Sequence, residues 1–330
     1  MKVLVTGGGG FLGKALVTRL LARGDEVRSL ARGTHPELHA LGAEVHRGDV
    51  GDAVAVSTAV AGCDAVLHVA AHVGAWGSYD AFYRANVAGT ENVIAACRAH
   101  AATRLVYTST PSVVHGGSDV RGADESLPYA ESFEAHYPAT KAIAEQLVLS
   151  ANDARLATVA LRPHLIWGPG DTQLLPRAIA QAKAGKLRLP SGETKVVDCT
   201  YIDNAVDAHV LALDALSPTA ACAGRAYFIS NGEPLAIGDL VNRMLAAAGA
   251  PPVKKTISPR VAYAAGFIAE AVHAIFRRRG EPRITRFVAR QMMTSHWYDI
   301  SAARRDLGYQ PRISIADGLK RLEEVAKIGS

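Results

Sequence analysis

Short runs of apolar, largely β-branched residues alternate with helical patterns through the first half of the chain. The segments between these runs, such as residues 82–100, have the apolar spacing of amphipathic helices. Strands that alternate with helices predict βαβ units, and strands that are apolar throughout need helices on both faces. The pattern therefore predicts an α/β fold built on a doubly wound parallel sheet. The predicted strands are residues 2–6, 26–30, 43–47, 65–70, 104–109 and 157–163.

The alternation of strand-like and helical segments ends after Pro163. Glycine and proline cluster in WGPGDTQLLP (167–176), a strand-like run returns at 195–202, and the last hundred residues are mostly helical in pattern. We predict two lobes, each formed by two stretches of the chain. Residues 1–165 and 193–230 would form the nucleotide-binding domain, and residues 166–192 and 231–330 a smaller, mostly helical substrate-binding lobe.

Composition narrows the class of protein. The chain has 330 residues, of which 49% are hydrophobic and 20% charged, as in a globular protein. The net charge is +5, and basic residues are scattered except at 277–279, so we predict no binding of nucleic acid. Four widely spaced cysteines and a first strand that begins at once predict a cytoplasmic protein with reduced thiols. The histidines show no metal-ligand spacing, and no metal site is predicted.

A glycine-rich turn, TGGGGFLG (6–13), follows the first strand and begins a helix. Gly7, Gly10 and Gly13 have the GxxGxxG spacing of a dinucleotide-binding turn, in which the missing side chains permit a tight turn and close approach of a pyrophosphate. Backbone N–H groups at the start of the helix, around Phe11 and Leu12, would then face the phosphates. The alternative is a merely flexible turn, which the strand before it and the helix after it make less favourable.

The second predicted strand indicates which dinucleotide binds. An acidic residue at its end would accept hydrogen bonds from a free ribose 2′-OH, but the sequence here is SLARG, with Arg32 at that position and Arg28 nearby. A guanidinium suits a 2′-phosphate in charge and geometry, so NADP(H) is the predicted cofactor. An exposed surface arginine is the alternative. Asp49 is expected near the adenine, or else as the cap of the next helix.

Tyr137 and Lys141 are four residues apart in HYPATK. On a helix they share one face, where a lysine ammonium would favour the phenolate and lower the tyrosine pKa from about 10. Pro138 restricts the preceding residue and places Tyr137 in the first helical turn. Such a pair is often a solvated helix face, but after a dinucleotide-binding turn it favours acid–base catalysis.

The chain resembles the extended short-chain dehydrogenases/reductases, and within them the 3β-hydroxysteroid dehydrogenase branch. The resemblance extends over nearly the whole chain. It is carried by TGGGGFLG, HVAAHVG (68–74), NVAGTENV (86–93), YTSTPSVV (107–114), YPATK (137–141), LRPHLIWGPG (161–170), YIDNAVDAH (201–209) and YDISAARRDLGYQP (298–311).

This resemblance implies a Rossmann fold and roles for individual residues. It implies that Tyr137 is the general acid/base and that Lys141 lowers its pKa and binds the nicotinamide ribose. Thr110 would hold the substrate carbonyl, with Ser109 and Ser112 as alternatives, and Asn86 would lie near the lysine. Ala70, Ala71 and Pro163 would border the cofactor.

Within the branch, the sequence is most similar to bacterial reductases of long-chain olefin biosynthesis. That similarity implies NADPH-dependent reduction of a 2-alkyl-3-oxoalkanoate to the 2-alkyl-3-hydroxyalkanoate, and so an apolar keto acid as substrate. It also implies a homodimer and assembly with other enzymes of the olefin pathway. Steroid or sterol-carboxylate oxidation, nucleotide-sugar epimerisation or dehydration, and non-catalytic sensing of NADP are the rival functions.

Two further features bear on an apolar substrate. His72, Trp76, His115 and His164 lie in the matched motifs and are candidates to line its pocket, although each is equally a packing residue. Segment 259–279 is apolar around much of its circumference and ends in three arginines, but Glu270 makes it a poor transmembrane span. It is predicted to be a helix packed on the substrate lobe, a lid over the pocket or a peripheral membrane anchor.

Overall fold

A computed structural model describes residues 1–276 and 280–328. Its strands, in chain order, are β1 (Lys2–Thr6), β2 (Glu26–Ala31), β3 (Glu44–Arg47), β4 (Ala65–His68), β5 (Arg104–Thr108), β6 (Val120–Ala123), β7 (Ala157–Pro163), β8 (Ile166–Trp167), β9 (Leu189–Pro190), β10 (Val196–Val197), β11 (Thr200–Tyr201), β12 (Arg225–Ile229), β13 (Leu235–Ala236), β14 (Thr256–Ile257) and β15 (His296–Tyr298).

The helices alternate with these strands in the first half and dominate the second. A π-helical turn, Arg84–Ala88, joins α4 to α5, and a 3₁₀ turn, Pro111–Val113, follows β5. The α-helices are α1 (Phe11–Ala22), α2 (Pro36–Ala40), α3 (Ala53–Val60), α4 (Tyr79–Tyr83), α5 (Gly89–Ala99), α6 (His136–Ser150), α7 (Leu174–Lys183), α8 (Ile202–Ala215), α9 (Ile237–Ala247), α10 (Pro259–Ile275), α11 (Arg286–Met293), α12 (Ser301–Leu307) and α13 (Ile315–Ile328).

The central sheet has seven parallel strands in the order β12-β7-β5-β4-β1-β2-β3. From β1 the chain first adds β2 and β3 on one side and then β4, β5, β7 and β12 on the other, as in doubly wound folds. The predicted fold class is therefore confirmed. All six predicted strands belong to this sheet; two have the predicted bounds, and the other four differ by one or two residues at one end. The seventh strand, β12, was not predicted.

The smaller sheets combine distant parts of the chain. One has the order β13-β10-β15-β6, and the other two are the pairs β11 with β8 and β14 with β9. The strand-like run 195–202 therefore divides into β10 and β11. Since β6 comes from predicted segment 1–165 and β15 from segment 231–330, strands of both predicted lobes share one sheet, and the exact division into lobes stays a prediction.

The core follows the alternation of each central strand. Val3 and Val5 of β1 belong to the cluster on one face of the sheet, whereas Leu4 belongs to the cluster on the other. This is the period of two that a strand imposes, and the helices on both faces complete the burial. The four cysteines are free thiols and are buried.

One ion pair is buried inside this core. Glu145 of α6 accepts hydrogen bonds from Arg162 of β7, at 2.6 Å from Nη2 and 3.0 Å from Nε, and from the hydroxyl of Tyr129 at 2.7 Å. The side chain of Glu145 is 0% exposed and that of Arg162 is 4% exposed. Because a buried charge without its partner is costly, this pair ties α6 to β7.

Helix α10 covers the predicted segment 259–279 up to Ile275. It packs on α11 through small residues: a Cβ atom on Gly266 would lie 2.7 Å from the backbone of Arg286, and Ala262 is fully buried. Glu270 pairs with Arg286 at 2.6 Å. The three arginines at 277–279, which end the predicted segment, lie outside the described residues. Within the described ranges, no helix is long and apolar enough to cross a membrane.

Candidate active site

The glycine turn between β1 and α1 leaves no room for side chains. Gly7 has φ +72°, and its N–H donates to the carbonyl of Leu30 at 2.8 Å. A Cβ atom on Gly7 would lie 2.9 Å from the backbone of Ala70, and one on Gly13 would collide with the Gly7 carbonyl. No side chain caps α1, which begins at Phe11, so the N–H groups of its first turn, Leu12 included, can bind phosphate.

The residues predicted to lie near the adenosine follow the ends of β2 and β3. Arg32 is exposed just after β2. Arg28, in contrast, is buried and donates to the carbonyls of Ala59 and Ala61, so it is a structural residue. Asp49 accepts from the N–H of Gly51 at 2.8 Å. It does not cap the following helix, because Asp52 has that role.

Tyr137 and Lys141 lie on α6 as the sequence indicated, with Tyr137 in the first turn. Lys141 is 2% exposed, and its Nζ donates to the carbonyl of Thr108 at 2.5 Å. Burial lowers the pKa of Lys141 to about 7, and the charge of Glu145 opposes that shift. The lysine is therefore held at the carboxyl end of β5 and is partly charged at neutral pH.

The pKa of the phenol differs from the sequence-based expectation. Burial of the hydroxyl raises the pKa of Tyr137 to about 12, and a hydrogen bond with Thr110 acts in the lowering direction. The lowering expected from the lysine is not found: desolvation dominates the shift, and Thr110 rather than Lys141 is the group that opposes it.

The hydroxyl groups after β5 have different partners. Thr110 is the one that contacts Tyr137, and its Oγ1 also lies 3.1 Å from Oγ of Ser112. Ser109 is buried, and its hydroxyl has no hydrogen-bond partner in the described part of the chain. Geometry thus favours Thr110 over Ser109 as the group next to the phenol.

Asn86 lies in the π-helical turn between α4 and α5. Its side chain accepts from the N–H of His72 at 2.7 Å, donates to the His72 carbonyl at 3.1 Å and donates to Oγ1 of Thr140 at 3.0 Å. A π-turn offsets the side-chain register of a helix and is frequent at functional sites. Asn86 therefore fixes the loop after β4, which begins near Ala70 and Ala71, against the helix that holds Lys141.

The remaining candidates divide into two groups. His72 packs on Phe82 and Trp76 on His273, with ring centroids 4.4 and 6.2 Å apart, and both are partly exposed. His115 and His164 are buried and both contact His296. The first pair can line a pocket, whereas the second fits the packing alternative. Pro163 ends β7 and is buried.

Several residues with structural roles at the site were not singled out from the sequence, although Thr140 and His209 lie in matched motifs. Thr140, Glu145 and His209 act through contacts with residues far away in sequence, and His209 bonds the hydroxyl of Thr108 across 101 positions. Among the described residues, no three histidine, cysteine or acidic side chains are grouped so that they could hold a metal ion.

His209 gives a prediction about acid stability. It is fully buried, and burial lowers its pKa from 6.5 to about 4. Above pH 6.5 the histidine is neutral in both the folded and the unfolded protein, so it does not reduce the free energy of unfolding. Between pH 6.5 and about pH 4, the histidine is protonated in the unfolded chain but stays neutral in the folded protein, so the free energy of unfolding falls as the pH falls. At pH 5 this one histidine should cost about 2 kcal/mol of unfolding free energy.

Urea unfolding at pH 7.5 and pH 5.0 measures this effect. His209→Gln should reduce the loss of stability between the two pH values, and the matched change His39→Gln, at an exposed histidine, should leave it unaltered. An equal loss in wild type and His209→Gln would contradict the assignment.

The glycine turn follows the carboxyl end of β1, and buried Lys141 is held at the carboxyl end of β5, on the same edge of one parallel sheet. Rossmann-fold oxidoreductases bind a dinucleotide along that edge, with a tyrosine and a lysine available for acid–base chemistry. The chain belongs to the 3-beta hydroxysteroid dehydrogenase/isomerase family, whose model matches residues 4–260.

Individual proteins resemble the chain over its whole length. A 2-alkyl-3-oxoalkanoate reductase of Stenotrophomonas maltophilia is 59% identical over 326 residues, which cover 98% of each chain. One from Shewanella oneidensis is 49% identical over 97% of this chain and 84% of its own. The crystal structure of UDP-glucuronic acid 4-epimerase from Bacillus cereus in complex with NAD has a TM-score of 0.75 at 25% identity, with 99% of both chains covered.

Proposed function

We propose that the protein reduces a 2-alkyl-3-oxoalkanoate to the 2-alkyl-3-hydroxyalkanoate with NADPH. The observation that supports this most strongly is the contact between the Tyr137 phenol and the Thr110 hydroxyl, on the helix that holds buried Lys141. The substrate class is supported by the named activity of the relative that is 59% identical.

The residues present fit a dinucleotide, because the Gly7 turn has space that a Cβ atom would fill. When bound, the reduced nicotinamide supplies the hydride that C3 of the substrate accepts. The N–H groups around Gly10, Phe11, Leu12 and Gly13 would hold the pyrophosphate, with Ala70, Ala71 and Pro163 bordering the cofactor. Exposed Arg32 supports NADP(H) over NAD(H), because no acidic residue stands at that position.

The chain's own groups then act on the keto oxygen. The Thr110 hydroxyl donates a hydrogen bond to it, and Tyr137 transfers its phenolic proton to the same oxygen as negative charge develops there. A protonated Lys141 stabilises the resulting phenolate, and Glu145 favours that protonated form. Asn86 keeps the loop at His72 in place, and His72 and Trp76 are proposed to face the apolar substrate.

A substrate panel tests this function. NADPH oxidation should be fastest with 2-alkyl-3-oxoalkanoates, and slow or absent with 3-ketosteroids and UDP-sugars. A clear preference for steroids with NAD⁺ would favour oxidation of hydroxysteroids or sterol carboxylates. Turnover of UDP-sugars would favour an epimerase or dehydratase, and NADPH binding without turnover of any compound would favour a sensor.

We also propose that the outer face of α10 rests on an anionic membrane surface. Val261, Ile268 and Ile275 repeat every seven residues and are 58%, 61% and 74% exposed. Residues 250–290 contain nine basic and two acidic residues, a net charge of +7, against +5 for the whole chain. An exposed apolar stripe in a segment of basic sequence fits the headgroup region of anionic lipid and would bring the enzyme close to apolar acids.

Ile268→Glu should weaken binding to phosphatidylglycerol-containing vesicles by about tenfold or more, because it places a charge in the apolar stripe. The matched control is Val325→Glu, at an exposed apolar position of α13. Vesicle sedimentation measures both. Equal binding of wild type and Ile268→Glu would contradict the membrane contact.

The resemblance to the family also supports two proposals about assembly. One is a homodimer, which sedimentation velocity of the purified protein tests. The other is a complex with further enzymes of olefin synthesis, which co-purification with those enzymes tests.

A further inference from the structure

His35 occupies an unusual position beside the glycine turn. It follows β2, has a left-handed backbone with φ 43° and directly precedes α2. Its imidazole lies against two glycines: a Cβ atom on Gly9 would collide with the ring, and one on Gly33 would be 2.8 Å from Nε2. Both glycines therefore leave space for this ring.

The two nitrogens of the His35 ring have different surroundings. Nδ1 lies 3.3 Å from Oε1 of Glu37, whereas Nε2 has no hydrogen-bond partner in the described ranges. Arg32, three residues earlier, likewise has no acidic partner among the described side chains. Nε2 of His35 and the guanidinium of Arg32 thus both lack an acidic partner among the described residues, at the end of β2 and next to the turn that would hold the pyrophosphate.

We propose that His35 determines cofactor selectivity, with Nε2 donating to the 2′-phosphate of NADP(H) while Arg32 binds the same group. The inference rests on the proposed use of NADP(H). The end of the second strand is where Rossmann proteins distinguish a ribose 2′-OH from a 2′-phosphate. Because Nδ1 is turned toward Glu37, Nε2 is the ring nitrogen left to face the charged 2′-phosphate. NAD(H) offers no such charge.

Binding affinity, measured without substrate, tests this role. The dissociation constants of NADPH and NADH are measured by nucleotide fluorescence for wild type, His35→Ala and the control His39→Ala, which removes an exposed histidine of α2. His35→Ala should weaken NADPH about tenfold, as the loss of a charge-assisted hydrogen bond does, and change NADH by less than about twofold. His39→Ala should change neither.

Gly9→Ala supplies an independent variant. Its methyl group would displace the imidazole while His35 itself is retained. Gly9→Ala should therefore also lower the ratio of NADPH to NADH affinity, and His35→Ala should lower that ratio no further in the double variant, since both changes remove one interaction.

The outcomes separate this inference from the proposed function. Wild-type protein that binds NADH as tightly as NADPH would overturn the proposed use of NADP(H), and this inference with it. Wild-type preference for NADPH that survives in His35→Ala would overturn only the role of His35. Equal weakening of both nucleotides by His35→Ala would show a structural role and overturn it as well.

Discussion

Replacing Tyr137 by phenylalanine is expected to lower kcat by about 10²–10⁴-fold and to change NADPH affinity by less than about threefold. The substitution removes one oxygen from the phenol that contacts Thr110 and leaves the ring to pack as before. Without that oxygen, the alkoxide loses its proposed proton donor. The glycine turn and Lys141, which would hold the cofactor, are unchanged.

Steady-state NADPH oxidation and nucleotide fluorescence measure the two effects separately. Tyr83→Phe is the matched control, since Tyr83 is an exposed tyrosine of α4 and should tolerate the loss of its hydroxyl. Full activity of Tyr137→Phe would show that the proton comes from another group, and loss of NADPH binding would show that the tyrosine acts mainly through the cofactor.

Replacing Glu145 by glutamine is expected to lower the free energy of unfolding by about 3–5 kcal/mol. The change leaves Arg162 charged and buried with only neutral partners, and one of its nitrogens, Nη1, already has no hydrogen-bond partner within the described residues. It also removes the charge that raises the pKa of Lys141, so activity near neutral pH should fall as well.

Urea unfolding at pH 7.5 measures the loss. Glu193→Gln is the control, because Glu193 pairs with Arg121 at 2.5 Å but its side chain is 60% exposed, and an exposed pair contributes only about 0–1 kcal/mol. If the two variants lost equal stability, the buried pair would not have the structural importance assigned to it.

The periodic features of the chain predicted the fold well. Val3, Leu4 and Val5 are apolar in succession because β1 is covered on both faces, and the same pattern located five further strands. Strand β12 was missed, although its residues 225–229 contain three aromatic or branched side chains. It is a short edge strand whose place depends on pairing with β7, more than sixty residues earlier, which local pattern does not report.

The parts of the site that depend on a local sequence motif were predictable. The glycine turn and the first-turn position of Tyr137 follow from spacing and from Pro138. Partners that arise from tertiary contacts were not predictable. Arg28 was considered for the cofactor, yet the fold turns it toward the α3 carbonyls, and the raised pKa of Tyr137 depends on burial that no spacing reveals.

Deuterium transfer tests the central claim most directly. The protein is incubated with a 2-alkyl-3-oxoalkanoate and NADPH that carries two deuterium atoms at C4 of the nicotinamide, and the hydroxy acid is analysed by mass spectrometry. The proposed reaction predicts one deuterium, bound to C3 of the product, for each NADPH oxidised, and almost no labelled product from Tyr137→Phe. Unlabelled hydroxy acid, or label at any other carbon, would contradict it.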